Sequence, residues 1–380
     1  MRPVWAEINL DAAAHNVREI RRITRPRAKV MAVVKADGYG HGAGAVAETA
    51  LRNGADRLAA ATLDEALALD EALARGNAGA GSSILIFGYT PLKDMTTVVE
   101  RGLIQTVYQT EQAGALSRAA VSLNRTAKVH LKIDTGMGRI GFLPENGARR
   151  AIMEIARLPN LELEGIFTHF ASADSADKQY QNRQLDVFLS FVESLRKDGL
   201  EFELRHAANS AAVLDCPDAH LDLVRAGILI YGAYPSREVN RTLIDLKPVM
   251  TWKAQVAQVK RVGKGVSISY GRTYTTGEPA WIATLPLGYA DGYFRRLSNR
   301  SEVLIGGERA PVVGTVCMDQ LMVDVTRIPD ARRGGEAVLI GNQGSDAISA
   351  EELAGWAETI PYEIFCAVSA RVPRVVVGSG

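Results

Sequence analysis

The sequence predicts an α/β protein: an N-terminal (β/α)8 TIM-type barrel followed by a C-terminal, mostly β domain. Two observations lead there. Over the first two-thirds of the 380 residues, short apolar runs alternate eight times with helical patterns. Such alternation implies parallel strands joined by crossover helices, and a count of eight favours a closed barrel over an open sheet. After about Leu246 the texture changes to runs rich in β-branched residues, punctuated by Gly263, Gly265, Gly288, Gly306 and Gly307 as turns require.

The opening segment Val4–Leu10 alternates apolar and polar residues, unlike the runs that follow. It is expected to pair with the second domain rather than the barrel. The domains are therefore drawn as 11–245 and 246–380, with residues 1–10 joining the latter. The barrel strands are Lys29–Val34, Arg57–Ala61, Ile84–Phe87, Leu103–Val107, Val129–Asp134, Leu163–Thr168, Phe202–His206 and Leu223–Ala226. Their continuous apolar character fits burial on both faces. Leu63–Gly76 repeats leucines at Leu63, Leu67, Leu69 and Leu73 and ends on a glycine suited to a C-cap. Gln179–Gly199 carries Leu185, Phe188, Phe191 and Leu195 at helical spacing. In the second domain Met250–Val262, Val266–Tyr270, Trp281–Leu287, Glu302–Ile305, Pro311–Val325 and Glu336–Ile340 read as strands.

Composition excludes several function classes. Apolar residues make up 47% and charged residues 23%, as in an ordinary soluble globular protein. A net charge of +1 without basic or acidic runs leaves no footprint for nucleic acid or an anionic membrane. Cys216, Cys317 and Cys366 are few, odd in number and widely spaced. They suggest a reducing compartment, with no signal core at the N-terminus and no bilayer-length apolar stretch, so a cytoplasmic protein is expected. No metal-ligand set is expected.

The unusual residues fall at the C-terminal ends of the barrel strands, where such barrels place their active sites. In VMAVVKADGYGHG, five apolar residues run into Lys35. A lysine in a dry pocket loses proton affinity and becomes an amine nucleophile able to form a Schiff base. A lysine that merely emerges into solvent fits the same stretch, so the other strand ends decide. His169 closes the sixth strand, Asn209 and Ser210 follow the seventh, and Arg225 and Gly227 close the eighth. Asp134 ends the fifth, with Arg139 just beyond. Helix caps alone would not supply a lysine, two arginines and a histidine to one rim. Ser210, Gly227 and Ile228 offer a hydroxyl and backbone N–H groups after strands seven and eight, a frequent phosphate position. A phosphate there and a Schiff-base lysine across the rim together suggest pyridoxal 5′-phosphate. By period-two alternation His130, Lys132 and Asp134 face the barrel interior. A buried Lys132 needs pairing, or a modification that turns it into an anion.

With AVVKADGYGHG, KIDTGMGRIGF, THFASAD, AANSAA, RAGILIYG, SYGRTY, GYADGY, VCMDQ and PYE in order, the whole chain resembles the alanine racemase family. The resemblance implies a cytoplasmic pyridoxal-phosphate isomerase that supplies D-alanine for peptidoglycan synthesis. It implies cofactor attachment at Lys35, phosphate contacts from Tyr39, Ser210, Gly227, Ile228 and Tyr362, and Arg225 facing the pyridine nitrogen. Asn209 and His169 fall beside these. Arg139 and Met318 match substrate-carboxylate contacts, Tyr289 the entrance, and Tyr270 a second catalytic base. Tyr270, Tyr289 and Met318 are implied to come from the other subunit of a homodimer. Lys132 matches a lysine found carbamylated. Thr315 departs from the pattern, standing where many relatives carry arginine at the outer corridor.

Racemisation removes a proton from one face of Cα and returns one to the other, so two bases on opposite faces solve the geometry. Lys35 and Tyr270 would be that pair, with Tyr270 supported through His169 and Arg225. Rival readings are a racemase for serine, a decarboxylase on the same architecture, and a non-catalytic cofactor carrier. The second domain with Tyr270 and Met318 argues against the carrier. His41, His206 and Trp252 receive no role beyond packing.

Overall fold

The computed structural model describes residues 2–75, 84–145 and 147–380. Gly76, expected as a helix cap, lies outside the described residues. The first strand, β1 (Val4–Asn9), does not enter the barrel. The barrel strands are β2 (Lys29–Val33), β3 (Arg57–Ala60), β4 (Ile84–Ile86), β5 (Ile104–Val107), β6 (Ala127–Lys132), β7 (Leu161–Phe167), β8 (Leu204–His206) and β9 (Leu223–Ala226). They pair in parallel in the order β8-β7-β6-β5-β4-β3-β2-β9. No ladder joins β8 to β9. Closure comes from Asp222 N–H to Arg205 O at 3.1 Å and Arg225 N–H to Ala208 O at 3.0 Å. Met31, Leu58, Ile84, Leu85 and Ile86 are buried in this sheet, which is why the strands read as unbroken apolar runs.

Eight strand–helix alternations were expected, and the described residues form seven. After β9 only a 3-10 turn, Ile228–Tyr231, forms before Gly232 turns the chain in the left-handed region. All four turn residues are fully buried, so this segment has no solvent face on which to build an amphipathic helix. The vacant place is taken by the helix Leu10–Ile23, which precedes β2. It packs on the first crossover helix, Ala43–Arg52, on the seventh, Ser210–Asp215, and on the 3-10 turn itself. Asn9 caps it, its side chain accepting Ala12 N–H at 3.0 Å.

The C-terminal strands are β10 (Met250–Gln255), β11 (Gln258–Val262), β12 (Ser267–Ile268), β13 (Tyr274–Thr275), β14 (Ala280–Leu285), β15 (Glu302–Ile305), β16 (Glu308–Pro311), β17 (Leu321–Asp324), β18 (Glu336–Gln343), β19 (Asp346–Ile348) and β20 (Arg374–Val377). One sheet runs β16-β15-β18-β10-β1-β20 with β19 on β18. Here β1 lies antiparallel to β10 and parallel to β20. A second sheet runs β11-β14-β17, and β12 pairs with β13.

Three expected strands are corrected. Met250–Val262 is two strands in different sheets. The switch occurs where Val256 N–H donates to Gly335 O and Ala257 N–H to Thr284 O, both at 2.8 Å, exchanging one partner for another. Pro311–Val325 keeps strand only at its two ends, Pro311 closing β16 and Leu321–Asp324 forming β17, because Gly314 adopts φ +79° and opens a loop carrying Thr315 and Met318. Val266–Tyr270 shrinks to β12, since Ser269 at φ +65° turns the chain.

Candidate active site

A cavity of about 460 Å³ opens at the C-terminal ends of the barrel strands. Lys35, Tyr39, Lys132, Arg139, His169, Asn209, Ser210, Arg225, Gly227, Ile228 and Tyr362 all line it. These are the sequence-selected candidates of the barrel rim, together with Tyr362 from the helix Pro361–Ala367. The lining holds no aspartate or glutamate, so its charge is wholly cationic.

Lys35 opens a left-handed turn. Ala36, Asp37, Gly38 and Tyr39 have φ of 51 to 62° and ψ of 41 to 50°. Three of the four carry side chains, and each costs roughly 1–2 kcal/mol in this region. The turn persists because its surroundings over-determine it. The Glu65 carboxylate accepts Ala36 N–H at 3.0 Å and Ala61 N–H at 2.7 Å. His41 Nδ1–H donates to the Gly38 and Tyr39 carbonyls at 3.1 and 2.9 Å. Arg374 Nε–H donates to Gly40 O at 2.9 Å. Gly40 has no alternative, since a Cβ there would lie 2.4 Å from Phe365 O.

Tyr39 is brought against Gly227, where a Cβ would meet its hydroxyl at 2.6 Å. Gly227 N–H also reaches Ser210 Oγ at 2.9 Å. Asn209 caps the helix that begins at Ser210, accepting Ala212 N–H at 3.1 Å. The Tyr362 ring lies 5.9 Å from that of Tyr39. Three hydroxyls, those of Tyr39, Ser210 and Tyr362, thus line one side of the cavity as a donor set for an anion, with the Gly227 N–H holding Ser210 Oγ in place.

The cations are perturbed by their burial and by each other. Burial, then Arg139, lowers the proton affinity of Lys35. Burial and Arg225 bring Lys132 down to about 7. Lys132 Nζ donates to Ile133 O at 2.7 Å and lies 5.5 Å from the Phe167 ring centre. Arg225 is pushed down to about 9 by burial and Arg139, which leaves it charged at neutral pH. Burial and Arg225 hold His169 well below its usual range. Asp134 organises the loop bearing Arg139: its carboxylate accepts the N–H groups of Gly136, Met137, Gly138 and Arg139 at 2.8 to 3.1 Å.

Arg225 is fixed on all sides. Nη2 donates to Thr168 O at 2.8 Å and Ala207 O at 2.9 Å, and lies 3.3 Å from His169 Nδ1. Nη1 donates to His206 Nδ1 at 2.9 Å. Behind it runs a buried chain that the sequence reading did not find. His206 Nε2 lies 2.8 Å from His130 Nδ1, and His130 Nε2 lies 3.0 Å from Glu164 Oε2. Glu164 also takes two 3.0 Å bonds from Arg57 and one of 2.8 Å from Lys128. Arginine can only donate, so the direction of the chain is set. Both histidines are neutral and carry their proton on Nε2. His169 Nδ1 is likewise an acceptor, leaving Nε2–H free to donate. Phe87, Tyr89, Tyr108 and Phe167 also line the cavity and were missed. The signal for the chain was present: the alternation that turns His130 and Lys132 inward in β6 also turns Glu164 inward in LELEGIF.

Tyr270, Met318 and Tyr289 do not line this cavity. They are 72%, 52% and 42% exposed. They sit on adjoining loops: Thr315 Oγ1–H donates to Tyr270 O at 2.8 Å, and Ala290 N–H to Met318 O at 3.0 Å. Trp252 is a core residue, edge-on to Tyr293. No described helix is long and apolar enough to cross a membrane.

Known proteins share both parts of the chain. The family model described as alanine racemase, N-terminal domain, matches residues 8–235, and that for the C-terminal domain matches 249–376. An alanine racemase of Carboxydothermus hydrogenoformans is 49% identical, covering 99% of this chain and 100% of its own. One from Methanococcus maripaludis is 47% identical, covering 98% of each. Among solved structures, alanine racemase of Clostridium difficile superposes with a TM-score of 0.93 at 41% identity, covering 99% of this chain and 96% of its own. That of Bacillus anthracis, solved with bound L-Ala-P, gives 0.91 at 40% identity over 100% of this chain and 96% of its own. The chain belongs to the alanine racemase family.

Proposed function

We propose that this protein interconverts L- and D-alanine with pyridoxal 5′-phosphate as cofactor and works as a homodimer. The observation that carries the reading is the cavity itself. It joins an amine of lowered proton affinity at Lys35, a hydroxyl-and-glycine cradle at Tyr39, Ser210, Gly227 and Tyr362, and a buried cation at Arg225. That donor set fits a phosphate at one end and a pyridine nitrogen at the other, and the absence of any carboxylate from the lining suits an anionic cofactor and substrate. Residues 11–245 would hold the cofactor, and 246–380 would present Tyr270 and Met318 to a second copy.

The chemistry supplied by the bound group is electron withdrawal from the amino-acid Cα, which makes its proton removable. Lys35 Nζ then holds the proton on one face of Cα, and burial together with Arg139 suits it to give the proton up again. Tyr270 Oη of the second copy serves the opposite face. A free tyrosine has a pKa of about 10, so its anion needs support. His169 Nε2–H is a donor available for that role. Arg139 pairs with the substrate carboxylate, with Met318 of the second copy beside it. Arg225 cannot take a proton from the ring nitrogen, so it moderates the electron withdrawal and limits side reactions. The exposure of Tyr270, Tyr289 and Met318 on neighbouring loops supports their use in trans. Lys132, near neutral at physiological pH, is suited to carbamylation. Cys216, Cys317 and Cys366 are all free thiols, which supports a reducing, cytoplasmic setting, and the D-alanine made there would serve peptidoglycan synthesis.

L-Alanine incubated in D2O with enzyme and cofactor should lose optical activity while gaining deuterium at Cα. L-Serine and L-lysine should react far more slowly. Retention of configuration in alanine, or a Lys35→Ala variant that still racemises, would overturn the assignment.

A further inference from the structure

Thr315 is 5% exposed, so its side chain is committed to the interior of the loop cluster rather than to an entrance. Its hydroxyl belongs to a short polarised chain. Asn299 Oδ1 accepts Gly314 N–H at 2.6 Å, which fixes the amide orientation and makes Nδ2 a donor. Asn299 Nδ2–H reaches Thr273 Oγ1 at 3.1 Å, Thr273 Oγ1 lies 3.3 Å from Thr315 Oγ1, and Thr315 Oγ1–H reaches the Tyr270 carbonyl at 2.8 Å. An amide nitrogen that only donates and a carbonyl that only accepts set one direction for every hydroxyl between them.

The chain ends on a strained segment. Ser269 has φ +65° and ψ −177°, a region essentially confined to glycine, and Gly271 and Arg272 follow at φ +71° and +52°. Ser269 is tied to the same loop from the other side, its Oγ–H donating to Thr315 O at 2.5 Å. Gly314 makes the approach possible, since a Cβ there would lie 2.7 Å from Ile268 O. Thr315 thus braces the turn at two neighbouring residues, Tyr270 through its hydroxyl and Ser269 through its carbonyl.

We propose that Thr315 is a positioning residue for Tyr270, holding the strained turn so that the Tyr270 phenol projects in one direction. This rests on Tyr270 being the second proton-transfer group. The threonine methyl packs while the hydroxyl bonds, so Thr315→Val keeps the volume and removes only the brace. Turnover should fall roughly 5- to 10-fold, the worth of one hydrogen bond. Thr315→Ser should recover most of it.

Two readouts separate positioning from general damage. With the Tyr270 step slowed, the Cα-deuterium isotope effect in Thr315→Val should grow for the alanine enantiomer whose Cα proton Tyr270 removes and shrink for the other. Amide hydrogen exchange over residues 267–273, measured with and without cofactor, should quicken in Thr315→Val and return in Thr315→Ser. If Thr315→Val does not fold, Thr273→Val breaks the same chain one bond earlier and should show both effects more weakly. Unchanged exchange and unchanged isotope effects in these variants would overturn the brace. Tyr270→Phe tests the underlying reading alone: full racemisation there removes Tyr270 from the chemistry, whatever the exchange data say about the turn.

Discussion

Acid should unfold this protein through its buried histidines, of which His41, His130 and His206 set a lower bound, since His169 and His220 are lowered by burial as well. His41, His130 and His206 are 1%, 0% and 0% exposed, and burial holds each below its usual proton affinity. In the unfolded chain each titrates near its ordinary value of about 6.5. The folded values are depressed, so the stabilisation is fully present above that value and is lost as pH falls toward the folded one. Between pH 7 and pH 5 a histidine that stays neutral throughout forgoes at most about 1.9 kcal/mol of protonation that the unfolded state gains. The three together cost at most about 6 kcal/mol, against a total stability of about 5–15 kcal/mol for an ordinary domain. Lys132, at about 7, is protonated in both states below pH 6 and adds no slope there. Urea unfolding at fixed protein concentration, followed from pH 7 to pH 5, should show at least about two to three protons taken up per chain near pH 5.5, to which His169 and His220 add. His206→Gln sharpens the test. The glutamine oxygen can accept from Arg225 while its amide donates to His130 Nδ1, preserving the direction of the chain. That variant should fold and lose about one proton of the slope. A wild-type slope below about one proton, or an unchanged slope in His206→Gln, would refute the neutral-histidine account.

Gly227→Ala places a methyl 2.6 Å from the Tyr39 hydroxyl and must displace it from the cradle. Cofactor affinity should weaken roughly 10- to 100-fold, the range of one charge-assisted hydrogen bond, in an absorbance titration; an unchanged Kd would count against the cradle. Arg225→Glu supplies a group that can share a proton with the ring nitrogen, so the ratio of transamination to racemisation should rise about tenfold or more, a shift of about 1.4 kcal/mol in relative barriers. Product analysis with an unaltered ratio argues against this role for Arg225. Lys132, lowered to about 7, offers a largely neutral amine at pH 8. Native mass spectrometry in bicarbonate should show a gain of one carbon dioxide per chain that disappears on acidification and is absent in Lys132→Ala.

The parts legible in the sequence are those where side-chain type alone fixes the environment. A strand buried on both faces must be apolar, so the barrel strands and the cations ending them stand out. The left-handed turn after Lys35 has no such signature. Ala36, Asp37 and Tyr39 are ordinary residues there, and two of the groups that hold the turn, Glu65 and Arg374, come from elsewhere in the chain. The missing eighth helix was equally hidden, because a buried run of isoleucine and leucine reads the same in a helix and in a 3-10 turn. Met250–Val262 has no glycine or proline at its break, since the cause is a change of partner strand. The histidine chain depends on register, with Gly165 opposite His130 and Phe167 opposite His206. A Cβ at Gly165 would lie 2.7 Å from the His130 ring. A glycine inside a strand was therefore the one local sign of close approach that the sequence offered.

That glycine bears on the chemistry at the other end of the chain. Removing the space at Gly165 would move His130, and His130 is the acceptor that keeps His206 Nε2 protonated and Nδ1 free. With Nδ1 free, Arg225 has an acceptor for Nη1 in addition to the two carbonyls at Nη2, and its plane is fixed. Were either histidine to gain a proton, a donor would face a donor at one of the joints, and Arg225, also cationic, would repel the new charge. The chain is therefore locked against protonation from both ends: by a guanidinium that cannot accept, and by a Glu164 carboxylate already shared among Arg57, Lys128 and His130. Its effect is to hold a permanent donor where a titratable group would otherwise share a proton, so that the ring nitrogen of the proposed cofactor would stay unprotonated across the physiological pH range.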